Sequence, residues 1–403
     1  MLSLSDVQDA RERVEAVARR TPLEYSHTFS DMTGAEVHLK LENFQRTGSF
    51  KIRGAMNRIT TLSDDEQRAG VVTASAGNHA QGVALAATRA GVDSKIVMPE
   101  YAPITKVKAT ERYGGDVVLY GADYDEAQAK AHEIEREEGR TYVHAFDDEY
   151  VMAGQGTIGL EIAEDCPDLD TVVVPIGGGG LISGIATAIK EQYPDVRVVG
   201  VQAEQASSAA DSLDKGTVQV LDEVDTIADG IAVRRIGDTT FEVIQERVDE
   251  IVTVSDEEIA VALTYLLERS KTLVEGAGAV ALAALIFEKF DYEADEVIVP
   301  ALCGGNIDMN TLTTVVMRGL VETGRYLKIR TELKDRPGSL ENLIGIIAEE
   351  KANIYAVRHD RTSRKIALNA TEVEIDLEMR GPDHVDSLLA ALRADGYEVE
   401  VLD

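Results

Sequence analysis

The chain predicts an α/β protein: a body of two packed α/β lobes over residues 1–322, followed by a small βαββαβ unit over 327–403. Three observations lead there. Up to about residue 320, β-branched runs alternate with longer alanine-rich or amphipathic stretches, the pattern of parallel strands covered by helices. That span is too long for one simple sheet, so two lobes are expected, the smaller over roughly 45–145. After Gly324 the alternation gives way to strand, helix, two strands, helix and strand, the split-βαβ order.

The elements follow in chain order. MLSLSDVQDARERVEAVARR reads as an amphipathic helix capped near Ser5 or Asp6. Buried strands are expected at Val71–Ala74, Lys95–Met98, Val117–Leu119, Thr171–Ile176, Arg197–Val201 and Glu296–Ala301, each a short apolar run rich in β-branched residues. Helices are expected at His79–Ala90, Tyr124–Glu138, Gly154–Glu164, Leu181–Gln192, Asp256–Ser270 and Gly278–Glu288. The longest apolar stretch, Ala277 to Phe287, falls short of the ~18 residues of a membrane span and reads as a buried helix. In the last unit Tyr326–Leu333, Asn353–His359, Glu372–Met379 and Glu398–Leu402 read as strands, Pro337–Glu350 and Asp383–Ala394 as helices.

Composition narrows the partners. Lys+Arg is 40 and Asp+Glu 72, a net charge of −32, which repels nucleic acid and anionic membranes. Arginines outnumber lysines 26 to 14. This balance suits a surface solvated in high salt, where the Debye length falls to about 3 Å at 1 M. Most of the charge, −27, lies in residues 1–326. Two cysteines, Cys166 and Cys303, make no disulfide framework and no zinc cluster. The N-terminus lacks a signal-peptide apolar core, so a reducing cytoplasm is expected.

Four segments could carry chemistry. In TVVVPIGGGGLISGIATAIK (Thr171–Lys190) a strand enters four glycines and a helix leaves. Glycine lets backbone approach a ligand closely, and the helix N-terminus presents unpaired N–H groups, together an anion cradle suited to phosphate. The spacing fits neither G-x-G-x-x-G nor a Walker A loop. A tight turn without ligand is the alternative. In TGSFKIRGA (Thr47–Ala55), Lys51 sits between Phe50 and Ile52, where apolar surroundings would make a neutral amine accessible for a Schiff base. Taken alone, a lysine two residues before Arg53 is more often a solvated surface charge. In TASAGNHAQG (Thr73–Gly82), Ser75, Gly77 and Asn78 could offer donors to an oxyanion, or Ser75 could be a helix cap and His79 a packed side chain. In VPALCGGNID (Val299–Asp308), Cys303 ends a buried strand and could be core alone.

GSFKIRGA, SAGNHAQG, PIGGGGLISG and LCGGNID, together and in this order, resemble the signature set of fold-type II pyridoxal-phosphate enzymes, with a tryptophan synthase β-like body, over residues 5 to 320. Within them the chain is similar to the threonine dehydratases. KIRTELKDRPGSLENLIGIIAEEKANIYAVRHDR (Lys328–Arg361) resembles an ACT domain, a ferredoxin-like regulatory unit. The resemblance implies pyridoxal 5'-phosphate as cofactor and deamination of L-threonine to 2-oxobutanoate and ammonia, with L-serine to pyruvate beside it. Lys51 would hold the cofactor and move the α-proton, and Phe50 would pack beside it. Asn78 would bond the phenolic oxygen. Gly177, Gly178, Gly179, Gly180 and the N–H of Leu181 would bind the phosphate. Ser75, Asn78 and His79 would surround the substrate carboxylate. Cys303, where many relatives have Ser, would face the pyridine nitrogen, with Glu275 nearby.

Serine racemases share the fold, but the position where they carry a second serine is Ala76, and Gln202 stands where a cation-binding carboxylate is expected. Racemisation is therefore disfavoured and no metal is expected. Threonine synthase and cysteine synthase fit the motifs less well. A reading from another class, a non-catalytic amino-acid sensor, is opposed by Lys51 within its full motif. In the last unit Asp335, Pro337 and Gly338, with Pro337 opening a helix, and Asn353 on the next strand would form an effector pocket between paired copies, isoleucine being the expected ligand. A homotetramer or homodimer is expected, since pairing covers the small unit's exposed sheet.

Overall fold

In a computed structural model of the chain, describing residues 1–361 and 369–402, Ser3 opens the first helix, Leu4–Glu15. The Ser3 hydroxyl accepts from the Asp6 N–H while the Asp6 carboxylate accepts from the Ser3 N–H at 2.9 Å. The cap thus lies earlier than the expected Ser5 or Asp6, because Asp6 is the returning partner of a capping box. The chain divides into two units, Met1–Met309 and Asn310–Asp403. The sequence puts the division at 322–327. Helix Met309–Glu322 instead falls almost wholly with the second unit, and with only Val315 and Gly319 buried it carries no change of pattern to mark the step.

The first unit holds two sheets. The smaller has the order Asp116–Leu119, Ser94–Met98, Val71–Ala74, Thr141–Tyr142, all parallel. VVTA is buried at all four positions, which is why it reads as a continuous apolar run instead of an alternation. The larger sheet runs Leu23–Tyr25, Glu36–Lys40, Val297–Pro300, Thr171–Pro175, Arg197–Ala203, Glu250–Val254. Only its first pair is antiparallel. Three parallel neighbours thus come from the start, the end and the middle of the unit. The segments leaving their carboxyl ends lead to Lys51, Cys303 and the four glycines, at the edge where open α/β sheets bind ligands.

The two-lobed α/β body is therefore as the sequence predicts, and most named elements appear within a few residues. Helix Tyr124–Glu138 and strand Val71–Ala74 match at both ends. Glu149–Asp165 starts five residues before the expected Gly154, capped by the Asp148 carboxylate. Asp256–Tyr265 gives way to a wider π turn over Leu266–Ser270. Strands Glu36–Lys40 and Glu250–Val254 and helix Lys51–Thr60 were not expected. Within them Lys40 and Arg53 are buried, both paired with Glu161 of helix Glu149–Asp165. Helix Gly276–Ile286 is buried through Leu285, and among the described residues no helix is long and apolar enough to cross a membrane.

The second unit carries the expected βαββαβ order, with an antiparallel sheet Asn353–Asp360, Ala370–Glu378, Tyr326–Lys334, Val399–Leu402. Tyr326–Lys334 buries alternate residues. Ile329, Val373, Ile375 and Leu377 pack with Leu343 and Ile347 of helix Ser339–Glu349 and Leu388 and Leu392 of helix Pro382–Ala394.

Candidate active site

Lys51 begins its helix directly after an extended link. Ser49 pairs with Gly304, and the Phe50 N–H donates to the Cys303 carbonyl at 3.3 Å. This places the lysine beside the cysteine, 252 residues away in the chain. The ammonium of Lys51 donates to the Ala145 carbonyl at 2.9 Å and lies 5.1 Å from the centroid of the Phe50 ring. Burial pushes its pKa down to about 8, with Cys303 and Glu275 working the other way. A neutral amine is therefore within reach near physiological pH.

Arg53, two residues on, is 1 % exposed. Its guanidinium donates to both Glu42 oxygens at 2.7 and 2.9 Å and to both Glu161 oxygens at 2.7 and 3.0 Å. Lys40 completes the cluster at 2.6 Å from Glu161. Desolvation disfavours the charged guanidinium, but Glu42 and Glu161 more than offset it and hold its pKa above the ordinary value. Two cations and two carboxylates, mutually satisfied, anchor the start of the Lys51 helix to strand Glu36–Lys40.

The glycine loop follows strand Thr171–Pro175, and helix Gly180–Lys190 leaves it. Gly179 caps the helix at φ 95°, in the left-handed region, and offers no side chain to the first N–H groups. They are thus available to an anion. Ligand approach is not the whole reason for the run. A Cβ at Gly178 would collide with the Phe146 ring, and one at Gly180 would lie 2.8 Å from the Phe146 carbonyl oxygen. Ala145 and Phe146, which the sequence does not single out, therefore join the Lys51 amine to the glycine loop. His144 Nδ1 holds that segment by accepting from the Phe146 and Asp147 N–H groups at 3.2 and 2.7 Å.

On the small-lobe side, strand Val71–Ala74 leads to Ser75 and to Asn78, the first residue of helix Asn78–Ala90. Ser75 Oγ accepts from the Gly77 N–H at 3.1 Å. The His79 ring turns into the lobe, 3 % exposed, and its Nε2 donates to the Val143 carbonyl at 3.0 Å. Burial, helped by Lys51, pushes its pKa down to about 3, so the imidazole is neutral. What His79 can offer a carboxylate is its backbone N–H, not its ring. Asn78 Nδ2 donates to Glu275 at 2.6 Å. Burial raises the pKa of the Glu275 carboxyl. The Cys303 thiol donates to the Ala277 carbonyl at 3.2 Å, and burial pushes its pKa well up, so it stays neutral. Gln202, on the larger sheet, accepts from the Ala209 and Ala210 N–H groups at 2.9 and 3.1 Å.

In the second unit the four expected effector residues do not meet within one copy. Pro337 does not open the helix: Gly338 caps it at φ 88°, and that left-handed turn puts the first helical residue at Ser339. Asp335 pairs with Arg361 at 3.2 Å. Asn353 is in register with Glu378, which also faces Tyr326 across the sheet. The 335–338 loop leaves the other end of strand Tyr326–Lys334, about 26 Å of strand away.

A buried amine of lowered pKa, an uncapped helix N-terminus after four glycines and a neutral thiol fit a phosphorylated aldehyde cofactor. Residues 14–304 match the family of pyridoxal-phosphate dependent enzymes and residues 325–396 the ACT domain. The chain belongs to the pyridoxal-phosphate dependent enzymes and uses that cofactor. It is 48 % identical over 402 residues to the L-threonine ammonia-lyase of Thermotoga maritima and 51 % identical over 403 residues to that of Geobacter sulfurreducens, 100 % of both chains being covered in each case. A solved structure of processed threonine deaminase isoform 2 from Solanum lycopersicum is similar at TM-score 0.76 and 42 % identity, covering 78 % of this chain and 92 % of that one.

Proposed function

We propose that this chain is a threonine ammonia-lyase, converting L-threonine to 2-oxobutanoate and ammonia and L-serine to pyruvate. The observation that carries the reading is the Lys51 amine, buried to a pKa of about 8 and held beside Cys303 and the Ala145–Phe146 link to the glycine loop. When bound, pyridoxal phosphate supplies an aldehyde for amines and a ring that draws electrons from the substrate's Cα. Lys51 would hold it and, as a neutral amine, would take the α-proton. The N–H groups from Gly177 to Leu181 would bind the phosphate, Phe50 would pack beside the ring, and Asn78 would donate to the phenolic oxygen. Ser75, Asn78 and the His79 N–H hold the substrate carboxylate. Cys303 would present a neutral thiol to the ring nitrogen, which would favour loss of the β-hydroxyl over transfer of the amino group. Ala76 cannot deliver a proton to the opposite face, so racemisation lacks its acid.

The second unit senses an amino acid, with isoleucine as effector. Asp335, Pro337 and Gly338 of one copy meet Asn353 of another, and the chain works as a homodimer or homotetramer. The register supports this, since it keeps the two groups apart within one copy. The acidic, arginine-biased composition suits a salt-rich cytoplasm, and Cys166 and Cys303, neither in a disulfide, suit a reducing one.

The test is a spectrum of the purified protein, borohydride trapping, and 2-oxo acid release at molar salt. A visible band, label on Lys51 and release from threonine are expected. Label on another lysine, such as Lys40, or release from neither threonine nor serine, overturns the reading. Isoleucine should shift the threonine saturation curve roughly 5–150-fold if coupling is about 1–3 kcal/mol. An unchanged curve leaves the second unit an assembly role only.

A further inference from the structure

Asn306 lies three residues beyond Cys303, in a segment whose sequence draws attention only to the cysteine. Its side-chain NH2 has two hydrogens, and both are used. One goes to Asn78 Oδ1 at 2.8 Å and the other to the Thr47 carbonyl at 2.6 Å. On its other side the same Asn78 amide donates from Nδ2 to the buried Glu275 carboxyl at 2.6 Å. The Asn78 amide is thus held on both sides, its oxygen by Asn306 and its nitrogen by Glu275.

These two bonds admit one orientation of the Asn78 amide. Flipped, its NH2 would face the NH2 of Asn306 and its oxygen would face the Glu275 carboxylate, two repulsive contacts in place of two bonds. In the orientation present, Asn78 Nδ2 spends one hydrogen on Glu275 and keeps the other for the cleft. The second arm of Asn306 reaches the Lys51 segment. Thr47 and Gly48 both lie in the left-handed region, at φ 66° and 72°. Thr47 Oγ1 is buried without a partner, so its own hydroxyl does not hold this turn; the Asn306 amide on its carbonyl does. A Cβ at Gly48 would collide with Asn306 Oδ1, which accounts for glycine there.

We propose that Asn306 is a positioning residue: it fixes which way Asn78 donates and ties that setting to the turn that carries Lys51. This rests on the roles given to Lys51 and Asn78 above. Asn306 touches neither reacting atom; it acts through Asn78.

The experiment compares Asn306→Ala, Asn306→Asp, Asn78→Ala and the double alanine variant as full-length holoenzymes. Asn306→Asp keeps the size but cannot donate, which covers the case that alanine fails to fold. The readouts are the absorption maximum of the bound cofactor, kcat and KM for threonine, and the rate at which cofactor-free protein is labelled at Lys51 by pyridoxal phosphate and borohydride. Both Asn306 variants should lower kcat by up to about 10²-fold with little change in KM. Both should move the absorption maximum toward that of Asn78→Ala and slow the labelling. The double variant should be no slower than Asn78→Ala, because the two act as one unit. Losses that multiply in the double variant, or an Asn306→Asp enzyme with the wild-type band and rate, overturn the inference. Wild-type protein labelled on a lysine other than Lys51 overturns the catalytic reading instead, so the two failures are distinct.

Discussion

The two units use charge in opposite ways. In the first, Lys40, Glu42, Arg53 and Glu161 form a cluster with side chains 0 to 10 % exposed, each group satisfied by the others. In the second, Arg330 is 34 % exposed and bridges Glu374 and Glu400 across neighbouring strands, and Arg358, 59 % exposed, reaches Asp376. Buried ions are costly unless geometry is met in full, so the first cluster specifies where strand Glu36–Lys40 and the Lys51 helix sit. In the second unit's cross-strand pairs the arginines remain in contact with solvent and salt, although Asp376 itself is buried, and these pairs specify less. Charge is thus a locating device where the amine must be placed and a surface property where it need not be.

The sharpest break in this comparison is functional. Lys51→Ala should lose about 10³-fold or more of turnover, while its circular dichroism stays that of the parent. Residual turnover within tenfold of wild type would remove the reason for locating that helix at all.

Next comes stability. Arg53→Met leaves Glu42 without a cation and Glu161 with Lys40 alone, and should cost about 3–5 kcal/mol in urea unfolding. Arg330→Gln should leave the urea midpoint at molar salt unchanged. Equal midpoints for both variants would erase the distinction between the units.

A smaller effect concerns pH. His79 titrates near 3 in the fold, below its ordinary value of about 6.5, so its contribution is present above 6.5 and is lost as pH falls toward 3. His79→Gln, which keeps a donor for the Val143 carbonyl and does not titrate there, should flatten part of the acid limb of stability. An acid limb as steep as that of wild type would show that the ring is not buried as a neutral group.

Smallest per site is the surface term. With −27 of the −32 charges in residues 1–326, the melting temperature of the first unit should rise from dilute buffer to molar salt as self-repulsion is screened. A melting curve flat across that range would contradict a salt-adapted surface.

What the sequence by itself determined was local. VVTA and TVVVP are strands because β-branched runs have few other solutions. Tyr124–Glu138 is a helix because Asp123 caps it and Ala127, Ala131 and Ile134 bury one stripe. The glycine run ahead of helix Gly180–Lys190 was legible as a candidate anion cradle, since the first N–H groups, left without a side-chain cap, belong to the helix itself. The four quoted segments also carried the family resemblance, because each is a run of seven to ten neighbours. Tertiary structure alone decided the rest. Strand Val297–Pro300 enters between Glu36–Lys40 and Thr171–Pro175, and that order brings Cys303 to Phe50. Arg53 and Lys40 can be buried because Glu161, brought in by helix Glu149–Asp165, pairs with both while Glu42 pairs with Arg53. Gly178 is glycine for the Phe146 ring, and Asn353 is far from Gly338 because antiparallel register runs the strands that way. Propensity and periodicity act over a few residues, whereas strand order, ion-pair burial and register depend on contacts made only once the whole unit has closed.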